Sequence, residues 1–400
     1  MKISTKFNFK IFCNLIIILL LVYIIIYLEK NNYIRKIEYI INDIEYNNFS
    51  SNKKQEKNKI NYYISNFFLK EQILKKVNET YEKNGFVNIN QVESTIPNGR
   101  KWIKGQNKSK EINVGAAFDT KYILMAMLTI ASVIDSQNLE TKLRLHFAIV
   151  DDFSVKSMIK IYTLRRKIRD DVEFNFYNAK KVETDLKNTN KKGNAINAKL
   201  ILPELLQDDV NRIIILDSGD TLVLKDLSEM YNWNMEDKIY YGVIDNSAMK
   251  YGPISKKILY NYINTGCFLV DVKKAKSEKI YKKIVDNKNI YKPSIIVDQD
   301  YLNDVSYGKI GILPIKFGLT PYKTILAYSR YANLTKNYHL LDYQNEINSQ
   351  NFNPVIIHQW NGKWIQGRGL IIYRRIAQYY IRFAGIWDEM CQKYPRACAK

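Results

Sequence analysis

Short apolar strands alternate with helix-like segments along most of the chain from Glu111 onward. The strand-like segments are 112–117, 143–150, 172–177 and 212–216, and the helix-like segments are 122–134 and 196–206. This alternation predicts an α/β sheet with helices packed on its faces. Because such sheets bind ligands at the carboxyl ends of their strands, polar residues that directly follow a strand are the first candidates for a functional site.

Two carboxylates follow one of these apolar strands. Residues 213–216 are all Ile or Leu, and Asp217, Gly219 and Asp220 come directly after them. Glycine permits a tight turn that lets both carboxylates face one point. Mn²⁺ or Mg²⁺ held by two carboxylates would keep coordination positions for the phosphates of a leaving group. A solvated turn with a capping Asp explains the same residues equally well, so the segment alone leaves both interpretations open.

Cysteine and histidine are too scarce for a zinc centre. The chain has four cysteines without a Cys-x-x-Cys pair, and three histidines. Any metal site must therefore use mainly oxygen ligands. Cys391 and Cys398 are close enough in sequence to form a disulfide in an oxidising compartment, but two free thiols account for them equally well.

The N-terminal part of the chain predicts a membrane anchor and a stem. Residues 11–28 are apolar except for Asn14, and a helix of this length can cross the hydrocarbon core. A cleaved signal peptide is the alternative, but no small-residue cleavage site follows. The basic residues of 1–10 favour a short cytoplasmic tail. The polar segment 29–110 is typical of a stem, within which 62–81 has helical spacing.

The formal charge of +21 is spread along the chain. Such a surface attracts phosphates and lipid headgroups. Nucleic-acid binding would need a concentrated basic stripe or a recognisable module, and the sequence has neither. It also has no P-loop, no serine nucleophile elbow and no His-Glu-x-x-His motif. We therefore expect an anionic small-molecule ligand and no nucleic-acid partner.

A series of segments, taken in order, resembles glycosyltransferase family 8, the family of glycogenin and bacterial lipooligosaccharide galactosyltransferases. These segments are 112–120, 198–200, 216–227, 262–271, 298–303 and 355–364. The resemblance implies a GT-A domain over 111–370, which is a Rossmann-like mixed sheet flanked by helices. Residues 371–400 would then form a C-terminal helical extension.

The resemblance assigns the first two segments to the nucleotide-sugar donor. Ala116, Ala117 and Asp119 occupy the positions at which the family binds the nucleoside. Lys199 stands where the family usually has an Arg that contacts the donor. Lysine would act there as a point charge, because it lacks the planar fork of arginine.

The resemblance also implies a metal and diphosphate site. Asp217 and Asp220 correspond to the Asp-x-Asp metal ligands, with one extra residue between them, and His358 corresponds to the third ligand. Gly362 would permit close approach of the backbone, and Lys363 would stabilise the departing diphosphate. The spacing from His358 to Gly362 is also one residue longer than is usual in the family.

Two further segments correspond to the family's sugar-binding residues. Asn264 lies in a segment like the family's Asn-x-Gly strand, and Asp298 with Gln299 matches its Asp-Gln-Asp motif. A buried strand and a helix cap are the alternative interpretations of these segments. The resemblance places all three side chains beside the transferred sugar.

The resemblance implies a retaining, Mn²⁺- or Mg²⁺-dependent transferase that moves a hexose or pentose from a uridine diphosphate (UDP) sugar to a glycan, glycoprotein or glycolipid. Front-face attack needs no protein nucleophile, so none is assigned. A nucleotide-sugar-binding module without catalysis and a glycogenin-like self-glucosylating enzyme are the alternatives. The anchor predicts a single-pass type II membrane protein, in the Golgi of a eukaryote or the inner membrane of a bacterium.

Overall fold

The computed structural model describes residues 72–95, 110–151, 158, 160–161, 171–186, 195–245, 261–291, 297–320, 339–349, 351–359 and 371–398. All of them belong to one compact unit, Leu69–Lys400. The expected tail, the expected anchor and the stem up to residue 71 lie outside these ranges. None of the helices described is both long enough and apolar enough to cross a bilayer.

A mixed sheet forms the centre of the described structure, and a small antiparallel sheet lies beside it. The central strands are β1 (Phe86–Asn88), β2 (Lys110–Phe118), β3 (Thr141–Ile149), β4 (Glu173–Asn178), β5 (Arg212–Asp217), β7 (Tyr240–Ile244), β8 (Ile263–Asp271) and β9 (Ile310–Ile312). Their order across the sheet is β1-β4-β3-β2-β5-β8-β7-β9. The small sheet pairs β6 (Thr221–Val223) with β10 (Ile356–His358).

The strand directions bring several candidate site residues to one edge of the sheet. Strands β4, β3, β2 and β5 run parallel, and β8 runs antiparallel between β5 and β7. The register places Ala117 of β2 opposite Asp217 of β5. Consequently the carboxyl ends of β2 and β5 lie at the same edge as the beginning of β8, where Asn264 is found.

Helices cover both faces of the central sheet. They are α1 (72–84), α2 (Ile89–Thr95), α3 (Ile123–Ser136), α4 (Lys181–Asp185), α5 (Ala195–Leu205), α6 (Ser228–Tyr231), α7 (Val272–Ser277), α8 (Ile280–Asn287), α9 (Val297–Val305), α10 (His339–Asn348), α11 (Ile371–Phe383), α12 (Trp387–Lys393) and α13 (Pro395–Cys398). Apolar side chains on the two faces form separate core clusters. Ile213 to Leu216 of β5 are at most 1% exposed, and each contributes about 1.5–3 kcal/mol through burial.

The structure confirms the predicted alternation of strands and helices. It also shows that residues 72–95, within the expected stem, pack on the catalytic sheet. Strand β1 pairs antiparallel with β4, and Ile73 and Val77 of α1 are buried in the core. The described part of the predicted helix 62–81 is helical.

The described C-terminal segment, residues 371–398, consists mainly of helices and contains a disulfide. Cys391 in α12 is bonded to Cys398 in α13, which settles the alternative that the sequence left open. Helix α11 packs on α3. Tyr380 of α11 donates from its hydroxyl to the carbonyl oxygen of Val223 in β6 at 3.4 Å. The segment is thereby tied to the side of the molecule that carries the small sheet.

Candidate active site

The turn that carries Asp217 and Asp220 depends on Gly219. This glycine has φ +86°, and its N–H donates to Thr129 Oγ1 at 2.8 Å. A Cβ atom at this position would lie 2.5 Å from Cβ of Met125. Both the backbone conformation and the lack of space therefore require glycine between the two carboxylates.

Asp217 lies between a buried lysine and a buried histidine. Its Oδ1 accepts a hydrogen bond from Lys199 Nζ at 2.7 Å, and its Oδ2 is 3.8 Å from His358 Nε2. The side chain of Asp217 is one-third exposed. It can therefore face a ligand while remaining held from the protein side.

His358 sits against the backbone of β8. Its N–H donates to the carbonyl oxygen of Leu319 at 2.9 Å, and a Cβ atom on Gly266 would lie only 2.1 Å from Cε1 of its ring. The ring is buried, yet neither ring nitrogen has a hydrogen-bond partner among the residues that the structure describes. Burial lowers the pKa of His358 more than the nearby Asp217 raises it. The imidazole is therefore neutral at pH 7 and has a lone pair available for a ligand.

The structure brings together only part of the predicted metal set. Asp217 and His358 are neighbours, but no three His, Cys, Asp or Glu side chains within the described ranges lie close enough to hold a metal ion. The backbone carbonyl of Asp220 accepts from Gln359 N–H at 2.7 Å. The charge of Asp220 also contributes to the raised pKa of Tyr122, after burial and Asp119. The carboxylate of Asp217 and the neutral imidazole of His358 are ligand types that suit Mn²⁺ chemically.

Lys199 is an internal cation that joins two parts of the site. It is 2% exposed, and its Nζ contacts Asp217, Asp298 and the carbonyl oxygen of Thr265 at 2.7, 2.9 and 2.9 Å. Burial alone would lower the pKa of Lys199, but the two carboxylates outweigh it and raise the pKa. The ammonium group is therefore charged throughout the physiological range.

The Asp-Gln-Asp segment begins α9 and is hydrogen-bonded to β8. Asp298 Oδ2 accepts from Thr265 Oγ1 at 2.8 Å, and Gln299 Oε1 accepts from Thr265 N–H at 3.2 Å. Asp300 accepts from the hydroxyl of Tyr262 at 2.7 Å. These bonds fix the first turn of α9 against the strand that carries Asn264.

Asp245 is a site residue that the sequence interpretation missed. Its Oδ2 accepts from Asn264 Nδ2 at 3.0 Å and from Gln299 Nε2 at 2.9 Å. Asn264 Oδ1 in turn accepts from the N–H of Gly266 at 2.7 Å. Asp245 directly follows the apolar strand β7, just as Asp217 directly follows the apolar residues 213–216 of β5. The signal that identified Asp217 was therefore present for Asp245 as well.

The predicted nucleoside residues lie at the end of β2. Ala116 is buried and Ala117 is half-buried opposite Asp217. Asp119 Oδ1 accepts from the N–H groups of Lys121 and Tyr122 at 2.9 and 3.1 Å, which orders the turn after the strand. The predicted diphosphate residues Gly362 and Lys363 lie outside the described ranges.

The sheet order and the clustered site residues define a GT-A-like α/β fold, and comparison with known proteins identifies the family. The family model described as Glycosyl transferase family 8 matches residues 113–364. The chain therefore belongs to this family of glycosyltransferases, as the motifs predicted. A Haemophilus influenzae protein assigned provisionally as a glycosyltransferase is 30% identical over 131 residues. That match spans 31% of this chain and 38% of the relative, which is less than two-thirds of the relative's length.

Solved structures show the same fold. The galactosyltransferase LgtC, crystallised with donor and acceptor sugar analogues, has a TM-score of 0.53 at 18% identity. The match covers 69% of this chain and 95% of LgtC. The bifunctional glycosyltransferase WbbM has a TM-score of 0.53 at 15% identity, over 73% of this chain and 53% of its own. At these identities the similarity establishes the GT-A-like fold.

Proposed function

We propose that this protein is a retaining glycosyltransferase that transfers a hexose or pentose from a UDP-sugar to a glycan, glycoprotein or glycolipid. The observation that carries the proposal is the arrangement of Asp217 between Lys199 and an unpartnered, neutral His358. Asp298 joins this group to the sugar-side residues through its ion pair with Lys199. One side of the site is thus suited to a diphosphate and the other to a sugar.

The residues on the leaving-group side would stabilise the negative charge that develops on the diphosphate when the anomeric bond breaks. Lys199 supplies a fixed positive charge, and Gly362 and Lys363 are expected to approach the phosphates. Asp217, Asp220 and His358 would hold Mn²⁺ or Mg²⁺, which when bound supplies Lewis-acid stabilisation of the diphosphate. Since His358 is neutral and unpartnered, it can become a ligand without first losing a proton or a hydrogen bond.

The residues on the sugar side would stabilise the positive charge that develops on the sugar ring. Asp245 is held by the amides of Asn264 and Gln299, so its carboxylate is fixed before a donor arrives. Asp298 is held in the same way by Lys199 and Thr265. Carboxylates held in this way would stabilise the positive charge on the ring. Front-face attack assisted by the leaving phosphate needs no protein nucleophile, and we leave a nucleophile unassigned.

A nucleotide-sugar-binding module without catalysis is the second candidate function. It is favoured by the incomplete metal set, because Asp220 does not stand with Asp217 and His358 within metal-binding distance. Such a module would bind a UDP-sugar and release no UDP. The transferase and the binding module would therefore both bind a UDP-sugar, but only the transferase would release UDP.

We also propose that the catalytic domain faces an oxidising compartment. The Cys391–Cys398 disulfide supports this location, since such bonds are rare in a reducing cytosol. The expected anchor at 11–28 would make the protein a single-pass type II membrane protein. This arrangement fits the Golgi of a eukaryote or the inner membrane of a bacterium.

A donor panel on the purified full-length protein tests the proposed function. UDP release from each UDP-sugar is measured with Mn²⁺ and with a chelator, beside Asp217→Asn, Asp220→Asn and His358→Ala. We expect turnover of at least one donor with Mn²⁺, and a loss of about 10²–10³-fold in each variant. Lys282→Ala, on the exposed face of α8, serves as the control variant. Donor binding without UDP release by the wild type would instead favour the non-catalytic module.

A further inference from the structure

Strand β8 contains a bulge at the residues next to the proposed sugar side. Its pairing with β7 is regular as far as Phe268 opposite Gly242, and it resumes at Ile263 opposite Ile244. One residue of β7 therefore stands opposite four residues of β8, the first of which is Asn264. Bulges redirect side chains and are common next to active sites. The backbone of this bulge needs hydrogen-bond partners other than β7.

Side chains of the site supply partners for the backbone of the bulge. The N–H of Thr265 donates to Gln299 Oε1 at 3.2 Å, and the carbonyl oxygen of Thr265 accepts from Lys199 Nζ at 2.9 Å. The N–H of Gly266 donates to Asn264 Oδ1 at 2.7 Å. The shape of the bulge and the positions of these site side chains therefore depend on each other.

Asn303 of α9 holds the residue that precedes the bulge. Its side chain is fully buried. Its Oδ1 accepts from the N–H of Ile263 at 2.8 Å, and its Nδ2 donates to the carbonyl oxygens of Ile263 and Gln299 at 2.9 and 2.8 Å. The amide oxygen and both amide hydrogens are thereby used. One side chain thus joins the strand residue before Asn264 to the helix residue Gln299.

The two positions that Asn303 joins carry the side chains that hold Asp245. Asn264 Nδ2 and Gln299 Nε2 both donate to Asp245 Oδ2, at 3.0 and 2.9 Å. We propose that Asn303 is a positioning residue for sugar transfer, which fixes the spacing between Asn264 and Gln299 and thereby orients Asp245. This inference rests on the proposed function, since it concerns the sugar side of the same site.

Turnover and UDP binding of the full-length protein, measured separately with Mn²⁺, test this role. The donor is the UDP-sugar that the wild type turns over fastest. Asn303→Leu removes all three hydrogen bonds, whereas Asn303→Asp keeps the acceptor oxygen and lacks the amide N–H groups. We expect kcat to fall about 10²-fold in the Leu variant and about tenfold in the Asp variant, because small displacements of positioned groups have effects of this size. UDP affinity should stay within about twofold of the wild type, since UDP carries no sugar to meet the sugar side.

Asn90 of α2 provides a matched control near the β1 edge of the sheet. It is also a fully buried asparagine on a helix that bonds the backbone of a strand segment. Its Nδ2 donates to the carbonyl oxygen of Val172 at 3.0 Å, and its Oδ1 accepts from the N–H of Phe174 at 3.3 Å. Asn90→Leu should lower the thermal midpoint about as much as Asn303→Leu, because both leave buried backbone groups without partners. The kcat of folded Asn90→Leu should stay within about twofold of the wild type.

Each outcome decides between the inference and the proposed function. A wild-type kcat in either Asn303 variant, or an equal fall of kcat in Asn303→Leu and Asn90→Leu, would overturn the inference and leave the proposed function standing. Loss of UDP binding in both Asn303 variants would also overturn it, because Asn303 would then maintain the fold of the whole site. A wild-type protein that binds UDP and releases none from any UDP-sugar would overturn both.

Discussion

The two ends of the central strands both contain a buried histidine and a buried cation. They differ in the hydrogen-bond partners of these side chains. At the amino end, Arg144 bonds Glu173, Glu111 and Asp209 at 3.2, 3.2 and 2.9 Å. At the carboxyl end, Lys199 bonds Asp217 and Asp298. Both ends thus bury positive charge with carboxylates beside it, which is the arrangement that a buried charge requires.

The histidines show the difference between the two ends. His146 Nδ1 is 3.0 Å from the hydroxyl of Tyr177, and its Nε2 is 3.0 Å from Oδ1 of Asn113. Neither ring nitrogen of His358 has a hydrogen-bond partner in the described part of the chain. A buried polar group without a partner costs about 1–3 kcal/mol, so it is expected where a ligand completes the bonds. We therefore expect the amino end to be structural, and we propose that a ligand completes the carboxyl end.

Substitution of Lys199 should give the largest effect, because it affects both catalysis and folding. Lys199→Ala removes the fixed charge of the leaving-group side, and we expect kcat to fall about 10²–10³-fold. It also leaves Asp298 without its cationic partner, which should cost about 3–5 kcal/mol of stability. Lys199→Arg, the residue usual in the family, should recover part of both losses. UDP release and urea unfolding measure the two effects, and a wild-type kcat in Lys199→Ala would remove Lys199 from the site.

Substitution of Arg144 should affect stability alone. Arg144→Met leaves the carboxylates of Glu173 and Glu111 without their cation, and we expect a loss of about 3–5 kcal/mol in the free energy of unfolding. The folded fraction should keep a kcat within about twofold of the wild type, because the substitution lies at the opposite end of the strands. Urea unfolding and kcat are measured on the same preparation. A large fall in kcat of folded protein would contradict the division into structural and catalytic ends.

Strands and site residues could be predicted where the residues that determine them are neighbours in the sequence. Strand β5 was predictable because residues 213–216 are all apolar, and β2, β3 and β4 because short segments rich in apolar residues mark them; Asp217 was predictable because it directly follows the run in β5. The three-residue strand β1 has no such pattern and forms only because β4 offers a free edge. Asp245 is recognised as a site residue through Asn264 and Gln299, which are 19 and 54 positions away. Such partners depend on the tertiary fold, so the sequence shows a carboxylate after an apolar segment but does not show its role.

The role of Lys199 was likewise only partly predictable. The resemblance indicated a donor contact at this position, and the structure shows an ammonium group that also joins Asp217 to Asp298. The disulfide was one of two alternatives from the cysteine spacing, since helix packing decides whether Cys391 and Cys398 meet. Local chemistry could thus be read from the sequence, whereas pairings between distant elements required the fold.

The smallest predicted effect is a pH dependence that distinguishes the two histidines. Burial lowers the pKa of both His146 and His358 below the usual 6.5. The unfolded chain therefore binds more protons below pH 6.5, so the stabilising contribution is complete above that pH and is lost as the pH falls. Each histidine should contribute up to about 1.4 kcal/mol per pH unit in this acidic window, and His146→Gln and His358→Gln should each flatten the curve.

Mn²⁺ should then separate the two variants. Metal binding to the folded state raises the thermal midpoint, and this increase requires His358 as a free ligand. We expect Mn²⁺ to stabilise the wild type and His146→Gln equally and to lose its effect on His358→Gln. Thermal unfolding at pH 7 with and without Mn²⁺ makes the measurement independently of turnover. Equal stabilisation of both variants by Mn²⁺ would show that the imidazole of His358 is not a metal ligand. We would then expect His358 to contact the donor directly.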